Sequence, residues 1–141
     1  MVRGFRLLDQ RLFPQSGEGA RLWIVTDVRF GHRQDWPLEV RLEREGDECL
    51  ITFENVSSFR VQDESEIRGY WSTRQAEAVS MGTIYAIEES AYRDEFRDSA
   101  AASSAPLTHY LIAGYDLCVE VLAGQPPMVS TLPRGSGGHA A

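Results

Sequence analysis

The clearest pattern along the chain is an alternation of apolar and polar residues that begins at Leu38, in the segment 38–45. Leu38, Val40 and Leu42 fall on one side of the alternation, and charged residues fall on the other. Because successive side chains point to opposite faces of a strand, this pattern predicts an antiparallel strand with one buried face. The following Glu45-Gly46-Asp47 predicts a turn.

Other segments are rich in the β-branched and aromatic residues that favour strands. They are Leu22–Phe30, Cys49–Val61 with a bend near Asn55, Thr83–Ile87, and a terminal hairpin made of His109–Ala113 and Leu117–Leu122. Apolar residues near the N-terminus recur at a spacing that permits either a short helix or a strand.

Two positions carry the signals of a helix start. Ser72 followed by Gln75 matches a capping box and predicts a helix that ends near Met81. Ser90 predicts the N-cap of a second short helix. The elements together predict an α+β protein that is mainly antiparallel: a strongly bent five- or six-stranded sheet or small barrel with two or three short helices.

The length of 141 residues suits one domain. We predict a globular domain over residues 1–125. The Pro- and Gly-rich segment 126–141 predicts a tail that is disordered at its end.

A formal net charge of −7 disfavours broad binding to nucleic acid or to anionic membranes, because phosphates repel an acidic chain. No run approaches the roughly 20 apolar residues that span a bilayer. The N-terminus also lacks the apolar core of a signal peptide. We therefore expect a cytoplasmic protein without a membrane partner. Cys49 and Cys118 lie in apolar runs, which predicts buried thiols rather than a disulfide framework.

The motifs of several enzyme and cofactor classes are missing from the sequence. It contains no phosphate-binding loop, no dinucleotide fingerprint, no Gly-x-Ser-x-Gly motif and no zinc-ligand spacing. We therefore predict a non-enzyme with no catalytic residue, cofactor or metal. His109 is expected to be structural or exposed. Glu120 alternates with Val119 and Val121, which favours the solvent face, with an acid or base in a cleft as the alternative.

Three aromatic residues in or beside predicted loops are candidates for an interface: Trp36, Tyr70 and Trp71. Trp71 is equally well explained by packing against the helix that follows it. Arg41 lies on the outward face of the strand over residues 38–45. If that strand is a sheet edge, Arg41 can meet a carboxylate of a second copy.

Residues 38–61 resemble the first motif of Sm-like proteins, in which a Gly turn leads to a bent strand with an aromatic, an acid and a later hydrophobic pair. The matching residues are Gly46, Phe53, Glu54, Phe59 and Val61. Ile67-Arg68-Gly69 resembles the Arg-Gly core of the second motif. The resemblance implies a small bent barrel that assembles through its sheet edges.

The same resemblance implies an RNA site, of which only Arg68 and Gly69 are kept. At the positions where Sm-like proteins stack a base and place an Asn, this chain has Val56 and Ser58. An aromatic stack contributes roughly 1–3 kcal/mol per base, which Val56 does not supply.

The function that we expect is a non-catalytic interaction module that self-associates through sheet edges. The sequence predicts that the strand at 38–45 and the hairpin at 107–122 reach the sheet edges. The expected partner is a second copy of the chain or another protein. The alternatives are an RNA-binding Sm-like protein that uses Arg68 and a small enzyme that uses Glu120 or His109.

Overall fold

The computed structural model of the chain describes residues 2–8, 23–31, 37–98 and 106–132. These ranges contain nine strands: β1 (Val2–Leu7), β2 (Ile24–Phe30), β3 (Leu38–Arg44), β4 (Asp47–Phe53), β5 (Val56–Asp63), β6 (Ile84–Ser90), β7 (Thr108–Ala113), β8 (Leu117–Ala123) and β9 (Met128–Leu132). They form two antiparallel sheets, one in the order β1-β6-β7-β8-β5 and one in the order β2-β3-β4-β9. The α+β class with mainly antiparallel strands is therefore confirmed.

The molecule has three layers. The inward faces of the two sheets pack together through fully buried side chains such as Leu42, Ile51 and Ile112. Helix α1 (Arg68–Ala76) and helix α2 (Ala91–Arg97) cover the other face of the five-stranded sheet. The middle sheet is thus buried on both faces, which accounts for the continuous apolar runs in its central strands.

Two helix starts were predicted, and the structure confirms one. Ser90 is the N-cap of α2, and its Oγ accepts a hydrogen bond from the backbone N–H of Arg93 at 3.0 Å. Ser72 lies inside α1 rather than at its start. The chain already turns at Asp63, whose carboxylate accepts from the backbone N–H of Ser65 and caps a short 3₁₀ helix over Glu64–Ile67.

The long strand predicted over Cys49–Val61 is two strands that belong to different sheets. Between β4 and β5 the chain turns at Asn55, whose φ is 55°. Asn tolerates this left-handed conformation better than most residues. The turn transfers the chain from one sheet to the other, and the strands in the described ranges form two open sheets instead of a barrel.

The predicted sheet edges are wrong. β3 lies between β2 and β4, while β7 and β8 are flanked by β6 and β5. Each of these strands has a paired strand on both sides, so neither the segment 38–45 nor the hairpin reaches an edge. β9 pairs with β4, so the sheet continues to Leu132, inside the segment predicted as a tail. The N-terminal segment is strand β1. No helix in the described ranges is long and apolar enough to cross a membrane.

Candidate functional site

A buried carboxylate, that of Glu120, is the centre of a polar cluster between the five-stranded sheet and the helices. Its side chain is fully buried in β8. Arg60 in β5 is directly opposite in register, and its Nε donates to Oε1 at 2.7 Å. Gln62 also donates to Oε1, and the hydroxyl of Tyr70 in α1 donates to Oε2 at 2.6 Å. Two elements, β5 and α1, thus supply three donors to one carboxylate.

His109 extends the cluster toward α2. It lies in β7, diagonally across from Glu120, and is also fully buried. Its Nε2 is 2.7 Å from Oε2 of Glu120, an ion-pair distance, although the ring is not aimed for a linear hydrogen bond. Its Nδ1 is 2.7 Å from Oγ of Ser90. An ionised Glu120 favours the proton on Nε2, which leaves Nδ1 to accept from the Ser90 hydroxyl.

The outer side of the cluster is closed by Tyr92. The guanidinium carbon of Arg60 lies 4.0 Å from the centre of the Tyr92 ring, a cation–π contact. The Tyr92 hydroxyl is 2.6 Å from Oγ of Ser58. The Arg60 side chain is 38% exposed, so one end of the buried cluster reaches solvent through this residue.

The donors decide the charge state of Glu120. Burial alone would raise the pKa of Glu120, but the polar contacts from His109, Arg60 and Tyr70 outweigh it and lower that pKa to about 2. Burial and the adjacent carboxylate raise the pKa of Tyr70. At neutral pH the cluster therefore holds an ionised Glu120, a charged Arg60 and a neutral Tyr70.

Ser90, His109 and Glu120 form a line of hydroxyl, imidazole and carboxylate, the groups that activate a nucleophile in hydrolases. Ser90 is only 2% exposed, and its Oγ is also held as the N-cap of α2. A hydroxyl held in this way does not meet a substrate. Through its hydrogen bonds and its cation–π contact, the cluster holds β5 and both helices against the rest of the sheet.

The structure brings one of the predicted interface residues, Tyr70, into this cluster. Trp71 follows it as a residue of α1 and packs against the apolar residues below the helix, so it does not precede the helix as the packing alternative assumed. Arg68 and Gly69 are exposed at the start of α1. Arg41 lies in central strand β3, and its Nη1 is 4.0 Å from Oε2 of Glu48.

Trp36 lies outside the described residues. The prediction that Glu120 lies on the solvent face is wrong, and its contacts with Arg60 and Gln62 were not predicted. His109, expected to be structural or exposed, is a buried member of the cluster. The interpretation of Glu120 failed because β8 is covered on both faces. The sequence carried one signal: Glu120 is a charged residue within an otherwise apolar run in β8. Charged side chains are rarely buried unless they are paired.

The five-stranded sheet has two different edges. At β1, the carboxylate of Glu77 accepts from the backbone N–H groups of Gly4 and Phe5, each at 2.9 Å. These two bonds lower the pKa of Glu77 and occupy donors that a further strand would use. At β5, β8 pairs on one side, and no described strand pairs on the other.

Within the described ranges, no three His, Cys, Asp or Glu side chains are grouped as metal ligands. The carboxylate of Asp63, in the acidic segment before α1, accepts from the hydroxyl of Ser65 at 2.7 Å.

Comparisons of the chain with models of protein families, with characterised proteins and with solved structures found no match.

Proposed function

We propose that this protein is a non-catalytic interaction module that self-associates through the open edge of β5. The observation that carries the proposal is the difference between the two edges of the five-stranded sheet. The β1 edge has two amides bonded to Glu77, whereas β5 has a described partner on one side only. An open edge is a template for strand pairing.

The polar cluster holds β5 in an ordered conformation that suits such pairing. Arg60 and Gln62 are bonded to Glu120, and Ser58 is bonded to Tyr92. Every second side chain of the edge strand is therefore fixed toward the helix layer. Because the strand is ordered before a partner arrives, less conformational entropy is lost on binding.

The other face of β5 supplies apolar contact area. Val61 is 42% exposed, and Phe30 at the end of β2 is 46% exposed. The ring of Phe59 packs against that of Phe30, with centroids 5.2 Å apart. These residues join the edge of one sheet to the edge of the other and give an incoming strand an apolar surface.

The charges on β5 are compatible with a second copy of the chain. An antiparallel pair of β5 strands centred on Val61 brings the two Val61 side chains together. It places Arg60 opposite Gln62 of the second copy and Asp63 opposite Phe59. No two like charges then oppose each other across the pair.

Sedimentation equilibrium of matched variants tests this proposal. Wild-type protein is expected to form an oligomer in the micromolar range. Val61→Lys should weaken association about tenfold or more, because an edge Lys resists strand pairing. Val61→Thr keeps a β-branched side chain and should associate like wild type. Arg41→Glu, in a central strand, is a second control.

A wild-type monomer at high micromolar concentration would contradict self-association, and an unaffected Val61→Lys oligomer would exclude the β5 edge.

RNA binding by a protein of the Sm-like kind is the second candidate. The exposure of Arg68 and Gly69 at the start of α1 favours it, since both are accessible to a ligand. The net charge of −7 opposes it. Submicromolar binding of a short oligouridine that Arg68→Ala abolishes would favour this candidate over the first.

A further inference from the structure

The C-terminal end of helix α1 lies against the outer edge of β1, on the side of the five-stranded sheet opposite β5. Glu77 is the C-cap residue of this helix. Its carboxylate accepts from two successive backbone N–H groups, that of Gly4 through Oε2 and that of Phe5 through Oε1, each at 2.9 Å. One side chain therefore occupies two main-chain donors of an edge strand.

Two successive amides reach the same carboxylate because the backbone of β1 is irregular at Gly4. In a regular strand the hydrogen-bonding groups of successive residues alternate between the two sides, but φ of Gly4 is 73°, in the left-handed region. The burial of the strand shows the same irregularity. Val2 and Phe5 are both buried although they are three residues apart, a spacing that places side chains on opposite faces of a regular strand.

The helix end that carries Glu77 is held in place by its own hydrogen bonds. The backbone N–H of Glu77 donates to the carbonyl oxygen of Thr73 at 2.9 Å, and that of Val79 donates to the carbonyl oxygen of Arg74 at 3.1 Å. Nη1 of Arg74 donates in turn to the carbonyl oxygen of Val79 at 2.7 Å. Because this end is fixed, Glu77 loses little further conformational freedom when its carboxylate binds β1.

Other features of the β1 edge also oppose strand pairing. Arg3 and Arg6 are both exposed, and the strand contains no acidic residue. Charged side chains, an irregular backbone and a covering element are means by which natural sheets protect their edges, and β1 has all three. The β5 edge, in contrast, exposes the apolar side chain of Val61.

We propose that Glu77 closes the β1 edge to strand addition, so that association through β5 stops at a two-fold dimer. Pairing of two β5 strands joins two copies about a two-fold axis and leaves a β1 edge at each end of the joined sheet. If those edges were open, further copies could add at both ends. The dimer limit rests on the proposed β5 interface, whereas the closure of β1 by Glu77 does not.

The partner of an opened β1 edge is β1 of another copy. An antiparallel pair centred on Gly4 places Arg3 opposite Phe5 of the other copy and Arg6 opposite its Val2. No two like charges are then directly opposite each other. The two amides that are freed when the carboxylate is removed lie at the centre of this pair.

Sedimentation velocity of Glu77→Ala tests the assembly limit. Glu77 is exposed, so its truncation removes no buried contact. Glu89→Ala is the matched control, because Glu89 is an exposed carboxylate that lies 3.8 Å from Arg3 of the same strand. Wild type and Glu89→Ala should stop at the dimer at high micromolar concentration, whereas Glu77→Ala should form species of at least twice the dimer mass.

The same substitution in a Val61→Lys background separates this inference from the proposed function. Val61→Lys blocks the β5 edge and should be a monomer, whereas Val61→Lys with Glu77→Ala should dimerise through β1. If the wild type itself is a monomer, association through β5 is contradicted, but Glu77→Ala should still associate.

Hydrogen exchange of the Gly4 and Phe5 amides, followed by NMR, tests the closure of β1 without reference to assembly. In dilute protein with the Val61→Lys background, both amides should exchange about tenfold faster or more after Glu77→Ala, because each loses its acceptor. Glu89→Ala should leave both rates unchanged. Unchanged exchange in Glu77→Ala would overturn the proposal, as would assembly of Glu77→Ala no further than its parent in both backgrounds.

Discussion

The two faces of the five-stranded sheet are buried by different physical means. Toward the other sheet, Ile112 and Val119 pack in an apolar layer in which size and shape decide the fit. Toward the helices, the same strands present His109 and Glu120, which are equally buried. A charge is tolerated on that face only because donors from β5 and α1 converge on it.

The comparison shows how a polar layer ties elements together more specifically than an apolar one. An apolar side chain accepts many neighbours, but a buried carboxylate needs donors at defined positions. Edge strand β5 and helix α1 are thus held by Arg60 and Tyr70 in one arrangement. Because these contacts keep the edge strand β5 ordered, the proposed interface depends on Glu120, although Glu120 itself is buried and is not part of the interface.

Removing the carboxylate is expected to have the largest effect. Glu120→Leu should lower the free energy of unfolding by about 3–5 kcal/mol, because Arg60 and His109 lose their partner. Urea denaturation measures this change. The control on the opposite face, Ile112→Val, should lower it by about 1 kcal/mol. Equal losses for the two variants would mean that the faces do not differ as described.

The second-largest expected effect is a loss of folding stability at acid pH, as Glu120 becomes protonated. The pKa of Glu120 is lowered from the ordinary 4.5 to about 2 in the folded protein. The unfolded state therefore binds the proton first as the pH falls. The stabilisation, on the order of 3 kcal/mol, is complete above pH 4.5 and is lost as the pH falls toward 2.

Glu120→Gln removes this titration and is the matched variant for the acid limb. The difference in free energy of unfolding between wild type and Glu120→Gln should shrink between about pH 5 and pH 2. A constant difference across this range would show that Glu120 does not carry the effect. Because the difference is taken between variants, the other carboxylates of the chain cancel.

Thiol labelling gives the smallest expected effect and compares the opening of the two layers. Both cysteines are buried thiols, as the sequence predicted. Cys49 faces the layer between the sheets, and Cys118 lies on the helix side, where burial raises its pKa to about 12. Native labelling should be slow for both and faster for Cys118, because short helices open more easily than paired sheets.

Single-cysteine proteins, Cys49→Ala and Cys118→Ala, separate the two rates. Denaturant should abolish the difference between them. Immediate labelling of either protein without denaturant would contradict burial, and faster labelling of Cys49 would reverse the order of the two layers.

The local elements follow from the sequence more closely than their arrangement does. Alternation over residues 38–45 predicted β3, and the Ser90 side chain predicted the start of α2. These features depend on contacts between near neighbours in the chain. The predicted start of α1 is too late in the chain. Asp63 caps a short 3₁₀ helix that leads directly into α1, and Ser72 lies within α1 instead of capping it.

What the sequence by itself determined is the class of this protein: an acidic, mainly antiparallel α+β chain with buried thiols. The tertiary structure decided the partners of each strand, and hence which edges are open. It also decided that β8 is covered on both faces, which turned Glu120 from an expected surface residue into the centre of a buried cluster. Alternation specifies two faces of a strand, but what covers each face depends on segments far away in the chain.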